Sequence, residues 1–90
     1  MEDQAPYGDW FKELGHRYRR LRQERGMVQE DALEYGFSVR HYQQLEGGRP
    51  HSIRTLFRMA RMLGVTPAEL LEGTPFETEA RPRKKPKKKA

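Results

Sequence analysis

Residues 29–48 read QEDALEYGFSVRHYQQLEGG, and they predict two short helices separated by a glycine. The first covers Gln29–Tyr35 and offers Ala32, Leu33 and Tyr35 as apolar positions before Gly36-Phe37 interrupts it. Glycine takes the left-handed backbone that ends a helix at little steric cost. Ser38 then stands where a helix needs a side-chain acceptor for its free N–H groups. The helix it caps runs to about Glu46, with Val39, Tyr42 and Leu45 recurring every third residue and so sharing one inward face. Gly47-Gly48 stops it, and Arg49-Pro50-His51 forms a loop.

Upstream, Trp10 to Arg25 places Phe11, Leu14, Tyr18 and Leu21 on one helical face at intervals of 3, 4 and 3. Gly26 ends that helix after a basic last turn, as the helix dipole prefers. Residues 1–9 are expected to fray, because Pro6 and Gly8 break any regular pattern. Downstream, Ser52 caps a run in which Ile53, Leu56, Phe57, Ala60 and Leu63 are assigned one face, and Gly64 closes it. Thr66-Pro67-Ala68-Glu69 reads as a capping box with proline at the first helical position, opening a last short helix with Leu70 and Leu71. Gly73 stops it. No segment alternates with period two, so no strand is expected. The fold class is all-α: five short helices in residues 10–73, then a flexible linker and polybasic tail over 74–90.

Composition narrows the function classes. Hydrophobic and charged residues each make up 34% of the 90, so the core is small and depends on close packing. The absence of cysteine excludes a disulfide framework and thiolate metal sites. No apolar run approaches the roughly 20 residues of a membrane span, and no secretory signal opens the chain. A soluble, cytoplasmic protein is the expectation. The net charge of +5 conceals its layout: residues 81–90 carry seven basic residues and no acid, leaving residues 1–80 at −2. Within those, 10–72 are mildly basic at +3 between acidic flanks.

Two short helices joined by a glycine turn inside a small helical domain form a helix-turn-helix arrangement. At Leu21–Glu30, Gly36-Phe37-Ser38, Gln44-Leu45-Glu46-Gly47, Pro50 and Leu56–Leu71 the chain resembles the phage-repressor type (Xre/Cro-like) DNA-binding family. The resemblance covers roughly residues 14–72 in order. It implies a five-helix, lambda-repressor-like DNA-binding domain. Two departures stand out. One residue fewer separates Gln29 from Ser38 than is usual, and Val28 stands where a Ser, Thr or Asn cap is common. A tighter turn is therefore expected.

The Ser38-capped helix would enter the major groove, where each base pair shows its own donor and acceptor pattern. With its apolar residues inward, Arg40, His41, Gln43 and Gln44 face out. Arg40 suits guanine O6 and N7, and Gln44 suits adenine N6 and N7. Gln29 and Ser38, at helix N-termini, suit phosphate oxygens. Arg49 resembles the family's further phosphate contact, and Arg22 and Glu46 match a family pair tying the first helix to the end of the groove helix, read as structural. The candidate DNA-binding set is Gln29, Ser38, Val39, Arg40, His41, Gln43, Gln44 and Arg49. Without its flanking pattern the same helix would read as a plain solvated amphipathic one. Tyr42 reads as core, and Met27, Met59 and Met62 as filler.

His16, His41 and His51 have no spacing that suggests zinc, so no metal is assigned. Gly47-Gly48 precedes Arg-Pro rather than Lys-Ser and follows a helix, so it resembles no phosphate-cradling loop of an NTPase. No nucleophile–base pair is present, so the chain reads as a non-enzyme without cofactor. The tail, rich in Lys and Pro and lacking aromatic residues, reads as a phosphate-binding arm ahead of a solubility segment or an anionic-membrane patch. The leading function is a sequence-specific transcriptional regulator, a repressor, binding double-stranded DNA as a homodimer through a patch around Leu70, Leu71 and Phe76. The alternative is a protein-interaction module, such as an antitoxin or adaptor on the same fold. Neither a membrane role nor a small-molecule effector is expected.

Overall fold

The computed structural model describes residues 7–78. Their regular elements are all helical: α1 (Tyr7–Glu24), a 3-10 helix (Gln29–Tyr35), α2 (Val39–Glu46), α3 (Ile53–Leu63), α4 (Pro67–Leu71) and α5 (Pro75–Thr78). The all-α expectation holds, with differences at both ends. α1 already runs through Tyr7–Asp9, where fraying was expected; Asp9 in its first turn complements the helix dipole. α5 forms in the stretch expected to be a linker. Its Phe76 ring sits edge-on to Trp10 and Phe11, with centroids 5.2 and 4.9 Å away, and these contacts give four residues a reason to coil. The polybasic tail lies outside the described residues.

The shortened segment before Ser38 adopts the tighter 3-10 coil, which completes more turns from the same number of residues than an α-helix does. Val28 supplies no side-chain cap; the Asp31 carboxylate instead accepts from the Val28 N–H at 2.8 Å. Gly36, at φ +86°, ends the element, and the Phe37 N–H returns to the Ala32 carbonyl at 3.2 Å. Ser38, Ser52 and Thr66 each accept a backbone N–H three residues on, so all three expected caps are made.

The core gathers Leu14 and Tyr18 from α1, Ala32, Tyr42 and Leu45 from the two helices of the motif, Phe37 from the turn between them, and Leu56, Met59, Ala60, Met62 and Leu63 from α3, with Leu70 closing it. Fully burying one of the Leu, Met or Phe side chains contributes about 1.5–3 kcal/mol. Two sequence assignments are corrected. On α3 the buried stripe includes Met59 and Met62, whereas Ile53 and Phe57 are 67% and 51% exposed. Residues 56, 59, 60 and 63 keep helical spacing, so the helix is rotated from the expected face. Leu70, expected on a dimer surface, is fully buried.

α1 is the element that locates the motif. Gly15 is buried in its middle, and a Cβ there would meet the Leu45 carbonyl oxygen at 2.8 Å and the Glu46 oxygen closer still. The end of α2 therefore rests directly on the α1 backbone. Arg17 reaches the other way, donating to the Glu69 and Glu72 carbonyls and satisfying the C-terminus of α4.

Candidate nucleic-acid interface

α2 is held from beneath by a charge pair. Arg22 Nε donates to Glu46 Oε2 at 2.6 Å and Nη2 to Oε1 at 3.2 Å, while Nη1 donates to the Met27 carbonyl at 3.0 Å. The two side chains are only 10% and 6% exposed. Burial alone would raise the Glu46 pKa, but hydrogen bonds from Arg22 and Gln29 outweigh it and hold the carboxyl below its ordinary value. The same bond to Glu46 raises the Arg22 pKa against the opposing effect of burial. Tyr42 is buried beside this pair, and its hydroxyl makes no hydrogen bond among the described residues. Burial, then the neighbouring carboxylate, pushes its phenol up.

From this buried pair a chain of amides runs to the surface. Gln29 Nε2 donates to Glu46 Oε1 at 3.1 Å, and Gln43 Nε2 donates to Gln29 Oε1 at 2.9 Å. The Glu46 carboxylate can only accept, so it fixes which end of the Gln29 amide faces inward. Gln29 in turn orients Gln43 on the exposed side of α2. A second contact joins α2 to the following loop: Arg49 Nη1 donates to Gln44 Oε1 at 3.1 Å.

The remaining candidates fall around these. Ser38 is exposed and accepts the His41 N–H at 2.9 Å, leaving its own hydroxyl proton free to donate. Val39 is half-buried at the first helical position. Arg40 is exposed and unpaired among the described residues. His41 is half-buried, edge-on to Phe37 at 5.7 Å. The outward side of α2 thus presents a guanidinium, an imidazole and two carboxamides, while its one acid, Glu46, is consumed inside. Chemically, a guanidinium suits guanine O6 and N7, a carboxamide suits adenine N6 and N7, and no exposed acid on α2 would repel a phosphate. Gln29, Gln43 and Glu46 come together, as do Gln44 and Arg49; Arg40 stands apart from both sets.

The sequence reading missed His51. Its Nδ1 lies 2.9 Å from the Arg49 carbonyl and its Nε2 lies 2.8 Å from the Tyr18 hydroxyl. A carbonyl can only accept, so Nδ1 carries the proton and Nε2 accepts from Tyr18. Burial lowers the His51 pKa, although the bond to Arg49 opposes this. The neutral ring thereby ties the Arg49 loop to the fully buried Tyr18 of α1. A lone histidine after a proline carries no sequence signal for this. Gly15, a glycine inside an otherwise regular helix, was the legible hint of close approach.

Residues 13–72 match the helix-turn-helix domain family. The chain is also similar to a protein of Sinorhizobium fredii named "Uncharacterized HTH-type transcriptional regulator y4dJ", with 39% identity over 75 residues, covering 78% of this chain and 97% of that protein. No solved structure matches.

Proposed function

This chain belongs to the helix-turn-helix domain family, and from that premise we propose that it is a sequence-specific DNA-binding transcriptional regulator of the phage-repressor (Xre/Cro-like) type. The observation that carries the reading is the outer side of α2, polar and free of exposed acid, set on a rigid base by the Arg22–Glu46 pair. Arg40 and Gln44 read bases from the major groove, Gln43 is aimed by Gln29, and Ser38 and Arg49 hold phosphates. The length of the S. fredii regulator that is covered, 97%, supports a regulator over an unrelated use of the motif. Occupying an operator is enough to block transcription, so repression is the mode we assign. It acts in the cytoplasm on the nucleoid, without catalysis, cofactor or small-molecule effector.

One such domain reads few base pairs, so we assign a homodimer on paired half-sites about 34 Å apart. With Leu70 buried, the dimer patch moves to Leu71, Phe76 and Ile53, which share an apolar cleft of about 200 Å³. Gel-shift salt titrations on a selected duplex and a scrambled one test the whole reading. The selected site should bind roughly a thousandfold tighter or more, with two chains per palindromic duplex. Equal affinity for both duplexes, or one chain per palindrome, would overturn it.

A further inference from the structure

We propose that the outward side of α3 is a docking site for a short acidic segment of a partner protein, one bearing a large aromatic side chain. Arg54, Arg58 and Arg61 are all exposed and follow one another at intervals of four and three, so they form a row along the helix. Phe57, 51% exposed, stands beside that row. With Arg58 and Arg61 it lines a cleft of about 340 Å³ whose other wall is Glu34 and Tyr35 at the end of the 3-10 helix.

The chemistry of the occupant follows from what the cleft presents. Arg58 is braced: its Nη1 faces the Gly36 carbonyl at 3.5 Å, and its guanidinium lies 5.6 Å from the centre of the Phe37 ring. Arg54 and Arg61 have no hydrogen bond or ion pair among the described residues. Two cations in the cleft, with Arg54 one turn away on the same row, against the single lining carboxylate of Glu34 call for an acidic occupant. A duplex would answer the charges but leave Phe57 in water, whereas an aromatic residue among carboxylates answers both. Arginine and aromatic side chains are also enriched at the energetic centres of protein interfaces.

The site shares no residue with the proposed DNA surface, although Arg58 rests on Phe37, whose ring meets His41. α3 packs on α1, the 3-10 helix and α4, while α2 packs on α1 and the 3-10 helix, and the two outer sides share no residue. On this proposal a DNA-bound chain offers this side to a second protein, which adds recruitment to simple occupancy of an operator.

The test uses the full chain and two fluorescein-labelled twelve-residue peptides of alternating Asp and Glu, one with a central Phe and one with Ala in its place. Both carry the same charge, so residues 81–90 attract them equally and cancel from the ratio. The Phe peptide should bind roughly tenfold tighter than the Ala peptide. That ratio should fall to about one in Phe57→Ala and in the double variant Arg58→Ala/Arg61→Ala, with duplex affinity unchanged in both. A ratio near one in the unaltered chain overturns the proposal, as does a ratio that survives both variants. Weakened duplex affinity in the arginine variant overturns it too, because the row would then belong to the DNA surface.

Discussion

Arg49 donates a hydrogen bond to Gln44 Oε1 at 3.1 Å, so the residue assigned to phosphate holds the residue assigned to a base. Adenine recognition needs that same oxygen to accept from N6. Under that assignment Arg49 has to release or share Gln44 in order to turn to a phosphate, which would couple the two interactions.

The first prediction follows. Arg40→Ala and Gln44→Ala should each cost about 1–3 kcal/mol on the selected site and flatten base preference there. Arg49→Ala should weaken every duplex and also blunt the preference at the base read by Gln44. Arg49→Lys keeps the charge but not the planar fork, so it should restore general affinity more than preference. Binding isotherms on selected and scrambled duplexes decide the matter; equal losses from all three alanine variants on the scrambled duplex would sink the assignment.

The Arg22–Glu46 pair, at 10% and 6% side-chain exposure, belongs to the dry class of ion pair. Removing one partner strands a buried charge, so Arg22→Ala or Glu46→Ala should each destabilise by roughly 3–5 kcal/mol, with the double variant far from additive. The pair also sets an acid limb. The Glu46 pKa is lowered on folding, so the unfolded chain binds more protons in that range. Its stabilisation is complete above the ordinary glutamate value of about 4.3 and is lost as pH falls through the lower folded value. Urea melts across acid pH should show that loss, and Glu46→Gln should flatten the limb. Additive single losses would remove the pair from the account.

The helices were legible in the sequence because their signals are local. Ser38, Ser52 and Thr66 mark starts, Gly36 and Gly64 mark stops, and the spacing of Leu14, Tyr18, Tyr42 and Leu45 marks the inner faces. What escaped was settled by tertiary packing. Ile53 and Phe57 fit the helical period as well as Met59 and Met62 do, and only the packing of α3 on α1 and the 3-10 helix selects among them. The amide chain through Gln29 and Gln43 joins residues 14 apart, and the His51 bond to Tyr18 joins residues 33 apart. No period or cap encodes either.

His51 supplies the third prediction. Its folded pKa lies below the ordinary imidazole value, so protonation favours the unfolded chain. The stabilisation from the neutral ring is full above about pH 6.5 and declines as pH falls through the folded value. Thermal melts between pH 7.5 and 5 (chosen to bracket that range) should show a decline in Tm that His51→Gln and Tyr18→Phe reduce. Because His51 also holds the Arg49 carbonyl, the His51 variant should weaken duplex binding at constant helix content. An unchanged pH profile in the His51 variant would exclude the assignment.

The last prediction concerns residues 81–90, whose seven basic residues leave a body of net −2 when removed. Such a body gains little long-range attraction to DNA except through its local basic side. The tail, with Pro82 and Pro86 and no aromatic residue, offers charge without stacking, so it should add affinity and association rate while α2 chooses the bases. For each phosphate that the tail neutralises, its deletion should lower the slope of log affinity against log salt by about 0.9. If roughly four to six of the charges meet phosphates, the slope should drop by about four or five, with base preference intact. Full-length chain and residues 1–80 compared on selected and scrambled duplexes supply the numbers. Equal slopes would make the tail a solvated segment only. A collapse of discrimination at an unchanged slope would mean that base reading does not reside in α2.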